Sequence, residues 1–262
     1  MAAVDQVASP GGTINVAVSG RIATITLTDP SRRNALNREM LEVLSREFAR
    51  LSADVSVAAV VITGAGDQFS AGLDIRTLDE TLGSPFTDAI ASVARFPGVT
   101  IASIRGMCIG GGVGLAAACD LRIASQDAVF GVTPAQLGVL YPAQATQALV
   151  ALIGVGATKR LLLTGELVDS LTASNLGLTT EVVPDHSLEQ RVAQLGETIA
   201  SRSDYSVAGS KKMIDAIVWG ADPEEVERQW RQQPAAPVDG DIGRQAFAAK
   251  TRPSFRWRRT VR

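Results

Sequence analysis

The chain has 262 residues, 46% of them apolar, with 25 lysines and arginines against 27 aspartates and glutamates and a formal net charge of −2. This balance argues against nucleic-acid binding by general electrostatics, because the one basic block, the final RWRRTVR, reads as a solvated tail. The length suits one main domain with a C-terminal appendage, and the opening MAAVDQVASPGG carries Asp5 and no apolar core, so nothing in it resembles a secretory signal.

Taken in chain order, TINVAVSGRIATITL alternates around Ser19-Gly20 and predicts a hairpin over 13–27. NREMLEVLSREFARLSAD sets Met40, Leu41, Leu44, Phe48 and Leu51 at helical spacing behind Asn37, a suitable N-cap. AAVVITG reads as a short buried strand, the small-residue loop AGDQFSAGLD leads into a helix, and TIASIRG is the next strand. CIGGGVGLAAACD, residues 108–120, predicts a helix of two or three turns opened by glycines, after which DLRIAS and AVFGV are strand-like. From Pro142 onward the pattern is mostly helical, with VDSLTASNLGL and TEVVP as one more short helix and strand. No repeat is visible, yet strand, strand, helix recurs with short loops. That recurrence predicts a layered α/β domain of stacked ββα units over 1–190 and a helical region over 191–262. Uncharged stretches such as Gly106 to Cys119 fall short of the roughly 18 to 20 apolar residues of a membrane span. The expectation is a soluble, cytoplasmic protein with neither a membrane nor a nucleic-acid partner.

The chemistry-bearing residues are sparse. Cys108 and Cys119 have no histidine nearby, so neither a metal site nor a disulfide is expected, and both read as buried packing residues. The single histidine, His186, lies in the connection VVPDHSL and reads as a solvated loop residue, which weakens any Ser-His or Cys-His mechanism. What remains is the run Gly110, Gly111, Gly112 and Gly114. A P-loop needs Lys-Ser/Thr after its last glycine, and none follows. Gly112-Val113-Gly114-Leu115-Ala116-Ala117 fits a dinucleotide fingerprint, but the helix ends near Asp120 and no acid stands about 20 residues on. Tight packing accounts for one or two of the glycines, not for four. The remaining reading is an oxyanion hole, with one N–H from the GGG turn and a second from the similar turn SAGLD.

At these residues the chain resembles the enoyl-CoA hydratase/isomerase (crotonase) superfamily. The matching pieces are NALN (34–37), FSAGLDI (69–75), GMCIGGGVGLAAACDLRIAS (106–125), LTGELVDSLTASNLGL (163–178) and AFAAKTRPSF (246–255). The resemblance implies a spiral of ββα turns, a homotrimer or dimer of trimers, and a coenzyme A thioester as ligand, with no other cofactor and no metal. It assigns the thioester carbonyl to the N–H groups of Leu73 and Gly111. It offers Lys250, with Phe247 on the preceding turn, and Arg32 and Arg33 as contacts for the coenzyme A end.

The same resemblance exposes a departure. The two glutamates that handle water and the Cα proton in hydratases would stand at 114 and 134, where this chain has Gly114 and Pro134. The aspartate of other branches would stand at Pro142, and no acid occurs over 89–119 or 128–165. Each absent acid–base group is worth roughly two to four decades of rate. Loss of carbon dioxide from a malonyl-type thioester needs the oxyanion hole but no carboxylate base, and TPAQLGVLY resembles the matching segment of methylmalonyl-CoA decarboxylases. There Thr133 and Tyr141 would hydrogen-bond the substrate carboxylate or deliver the proton. Leu73, in place of a histidine, and Gly114, in place of a glutamate, depart from that branch. Two alternatives stay open: a hydratase or isomerase with a displaced acid such as Asp79, Glu80 or Asp88, and a non-catalytic acyl-CoA binding protein.

Overall fold

The computed structural model describes residues 5–7, 11–233 and 236–258. Most of the first twelve residues and the end of the basic tail therefore lie outside the described residues. A short strand β1 (Asp5–Val7) pairs with β2 (Thr13–Ser19), which forms with β3 (Ile22–Thr28) the expected hairpin. Helix α1 (Arg38–Ala53) starts where Asn37 accepts the Met40 N–H, and its predicted apolar face is buried. Burial of each of those large side chains is worth about 1.5–3 kcal/mol. Then follow β4 (Ala59–Gly64), α2 (Leu78–Thr81), α3 (Ser84–Ala94), β5 (Val99–Ile104), β6 (Met107–Ile109), α4 (Gly111–Ala117), β7 (Leu121–Ser125) and β8 (Val129–Gly131). The second half contains α5 (Pro134–Leu137), α6 (Ala143–Thr164), β9 (Leu167–Asp169), α7 (Ser170–Asn175), β10 (Glu181–Val183), α8 (Leu188–Ala200), α9 (Asp204–Trp219), α10 (Pro223–Arg231) and α11 (Ala236–Ala249).

Two sheets organise these elements. The larger runs β1-β2-β3-β4-β5-β7-β10 and is parallel from β3 to β10. The smaller runs β6-β8-β9, and isolated parallel bridges Ser70–Cys108 and Leu36–Leu73 extend it toward the earlier turns. Each turn of the chain thus lays one strand in the large sheet, one segment in the small sheet, and then a helix. This is the spiral of ββα units. Between the layers, Phe48, Phe69, Phe86, Phe96 and Phe130 are fully buried, and Cys108 and Cys119 pack in the same core as free thiols.

Two sequence expectations change. Helix α6 has 22 residues and is long and apolar enough, by length and composition, to cross a membrane, contrary to the expectation from stretches such as Gly106 to Cys119. Gly154 (φ 74, ψ 169) breaks its helical path, and Ala145, Leu149, Thr158 and Leu161 are buried against the protein. A domain division at residue 190 would cut α8, whose Leu188 and Val192 pack on Val61, Ile101 and Ile123 of the large sheet. The purely helical region begins after it, tied to the core where Lys211 donates to the Phe96 and Gly98 carbonyls and to Asp120 at 2.8 Å.

Candidate active site

The small sheet brings the two glycine-bearing loops together. Ser70 pairs with Cys108, its N–H donating to the Met107 carbonyl (2.9 Å) and its carbonyl accepting the Ile109 N–H (3.0 Å). A few residues further along each strand, Gly72 and Leu73 stand beside Gly110 and Gly111. The Ser70 hydroxyl donates to the Asn34 carbonyl (2.8 Å) and accepts the Gly72 N–H (3.1 Å). Asn34, itself left-handed at φ 57, donates its amide to the Ala65 and Gln68 carbonyls. Leu36 then clamps Leu73 from both sides, its N–H on the Gly72 carbonyl and its carbonyl on the Asp74 N–H. Ser70 and Asn34 are scaffold residues that the sequence motifs contained but did not single out.

The four glycines have four different reasons. Gly110 (φ 52, ψ −112) takes a conformation open only to glycine, while a Cβ there would meet nothing within 4 Å. At Gly111 a Cβ would lie 2.9 Å from the Leu73 Cγ and 3.2 Å from the Leu73 nitrogen. At Gly112 it would lie 2.9 Å from the Ser70 carbonyl oxygen. Across the gap, a Cβ on Gly72 would sit 3.2 Å from the Gly111 nitrogen. The Leu73 and Gly111 amides are therefore neighbours, and among the described residues neither donates to a protein acceptor. Two unspent N–H groups side by side on different loops leave donor capacity there for a ligand oxygen.

At Gly114 a Cβ would come 2.7 Å from the Phe86 Cζ and 2.8 Å from the Tyr141 hydroxyl. Space that a side chain at 114 would take is filled by these two rings. Tyr141 is 9% exposed, burial pushes its phenol up from the ordinary value, and its hydroxyl donates to the Gly110 carbonyl at 2.9 Å. The Tyr141 proton is thus held by the backbone instead of pointing freely toward a ligand. Thr133 opens α5 two residues beyond Gly131, whose carbonyl accepts the Gly110 N–H, and its hydroxyl makes no capping hydrogen bond. Pro134 is buried as the first residue of that helix. Asp79, Glu80 and Asp88 are all exposed, with Asp88 two residues from the buried Phe86 and so on the opposite face of α3.

The family model described as "Enoyl-CoA hydratase/isomerase" matches residues 17–258. The chain belongs to this family. A crystal structure of an enoyl-CoA hydratase/isomerase family member superposes with a TM-score of 0.91 at 33% identity, covering 97% of this chain and all of the other. The 2,3-dehydroadipyl-CoA hydratase of Escherichia coli is 30% identical over 91% of this chain and 96% of its own length. The (E)-benzylidenesuccinyl-CoA hydratase of Thauera aromatica is 33% identical over 80% and 83%.

In this family member the remaining candidates are more dispersed. Arg33 lies against the first loop, its carbonyl accepting the Ala71 N–H and its side chain exposed. Arg32 is half-buried and spent on Asp29 and the Gly11 carbonyl. Phe247, 88% exposed, and Lys250, left-handed at φ 54, close α11, and their described hydrogen bond joins the Lys250 N–H to the Phe247 carbonyl. The buried carboxylate beside Leu73, Asp74, is claimed by the Arg76 N–H and guanidinium, which hold it below its ordinary value. His186 is exposed, and among the described residues no group of three or more His, Cys, Asp or Glu side chains could hold a metal ion.

Proposed function

We propose that this enoyl-CoA hydratase/isomerase family enzyme forms an enolate of a coenzyme A thioester at the Leu73 and Gly111 amides, and that its reaction is decarboxylation of a malonyl- or methylmalonyl-type thioester. The observation that carries the reading is the wall at Gly114. Phe86 and Tyr141 occupy the place of a side chain there, and neither is a carboxylate. The bond from Cα to the substrate carboxylate breaks, carbon dioxide leaves, and the electron pair passes to the thioester oxygen between the two N–H groups. Cα then takes a proton from solvent water, leaving hydroxide to the buffer. Each such donor is worth roughly 3–4 kcal/mol toward the developing charge. The uncommitted Thr133 hydroxyl would hold the departing carboxylate, and a glutamate at 114 would repel it. Arg32, Arg33, Phe247 and Lys250 remain candidates for the coenzyme A end, in a homotrimer or dimer of trimers.

A second reading, hydration of an enoyl thioester, is favoured by the relatives' names, which include a 2,3-dehydroadipyl-CoA hydratase and an (E)-benzylidenesuccinyl-CoA hydratase. Mass-spectrometric turnover of malonyl-, methylmalonyl- and ethylmalonyl-CoA beside crotonyl-CoA and a 3-enoyl-CoA separates the two. Loss of carbon dioxide from a malonyl-type thioester above the buffer rate supports the first reading. Gain of water on crotonyl-CoA overturns it in favour of the second.

A further inference from the structure

We infer that Tyr141 is a positioning residue that aims the Gly111 N–H by holding the Gly110 carbonyl of the same peptide. This rests on the oxyanion-hole reading proposed for Leu73 and Gly111. In a trans peptide the carbonyl and the following N–H share one plane and point in opposite directions. The Gly110–Gly111 bond is trans, so whatever grips the Gly110 oxygen fixes where the Gly111 N–H points.

At the Gly111 end Leu73 packs close, a Cβ there lying 2.9 Å from the Leu73 Cγ, whereas a Cβ on Gly110 would touch nothing within 4 Å, which leaves the carbonyl end to hydrogen bonds. The Gly110 oxygen accepts the Gly114 N–H at 3.1 Å and the Tyr141 hydroxyl at 2.9 Å. The first bond belongs to α4 and moves with it. The second arrives from 31 residues further along the chain and anchors the peptide to another part of the core. A hydrogen bond accepted by a carbonyl also polarises the amide and strengthens its N–H as a donor. The gain is largest where charge develops, so it falls on kcat more than on KM. Glycine at 114 is the other half of the device. Any Cβ there would sit 2.8 Å from the Tyr141 hydroxyl and push it off the Gly110 oxygen.

The test compares the wild-type enzyme with Tyr141→Phe, using the coenzyme A thioester of p-dimethylaminocinnamic acid, whose absorption moves to the red as its carbonyl oxygen is polarised. The expected result is a red shift in the wild type and a clearly smaller one in Tyr141→Phe at nearly unchanged affinity. On any panel substrate that turns over, kcat should fall about tenfold with KM held. A full red shift and unchanged kcat in the variant overturn the inference and leave the oxyanion hole standing. Absence of any shift on binding to the wild type overturns the oxyanion hole, and the inference with it. Should Tyr141→Phe fail to fold, Gly114→Ala displaces the hydroxyl without removing it; a reduced shift there supports the inference and a full one refutes it.

Discussion

Replacing Gly114 by alanine tests whether the wall of the site is as tightly built as its geometry implies. The new methyl would lie 2.7 Å from the Phe86 Cζ and 2.8 Å from the Tyr141 hydroxyl, well inside the contact distance of about 3.5 Å. Both neighbours are buried, at 0% and 9% exposure, so neither can swing into solvent. Overpacking of this kind costs about 1–3 kcal/mol, and displacing the hydroxyl from the Gly110 carbonyl adds about 1 kcal/mol. The better helix propensity of alanine offsets about 1 kcal/mol. The expected net destabilisation is about 1–3 kcal/mol. Gly156→Ala in α6 isolates the propensity effect, because a Cβ there meets nothing within 4 Å, and it should stabilise by about 0.5–1 kcal/mol. Urea titration followed by tryptophan fluorescence at one fixed protein concentration measures both. Equal stability of the two variants would mean that Phe86 and Tyr141 yield freely, and the wall would not account for glycine at 114.

Cys108 and Cys119 are buried, and burial pushes the Cys108 thiol well up and the Cys119 thiol to about 12. Iodoacetamide near pH 8 should leave both unmodified in the native protein and alkylate both after urea unfolding, as read by mass; native labelling would show that one is reachable. Arg76 holds the Asp74 carboxyl below its ordinary value, so its contribution to stability is present above the unfolded value of about 3.9 and is lost as pH falls through the folded one. Asp74→Asn should therefore lower the urea midpoint by a constant amount between about pH 5 and 8, with the gap closing below about pH 4; a gap that widens on acidification would contradict this. The combined variant Asp79→Asn, Glu80→Gln and Asp88→Asn changes only exposed side chains and should keep turnover within about twofold. A tenfold loss would return a displaced acid to the mechanism.

The sequence by itself determined the elements whose residues carry enough repeats of one period. The 13–27 hairpin and the helix from Asn37 each bury the face that their alternation or helical spacing marks. It also determined what the site lacks, since Gly114 and Pro134 cannot act as acids in any fold. Strands β6 and β9 were not legible, because Met107–Ile109 runs directly into the glycines and Leu167–Asp169 directly into α7, and both are strands through their partner β8. The 22-residue reach of α6 ran past the stretches considered, and α8 belonged to the sheet rather than to the helical region because its apolar side chains meet Val61, Ile101 and Ile123. The family resemblance paired Leu73 with Gly111, but only the tertiary structure shows how their loops meet, through a bridge between Ser70 and Cys108. The tertiary structure alone decided that the Tyr141 proton goes to Gly110, and that Asp79, Glu80 and Asp88 face solvent. Periodicity records which face of a segment is apolar. Contacts between segments dozens of residues apart leave no period to read, and the direction of an amide is set by the hydrogen bonds at the other end of its peptide.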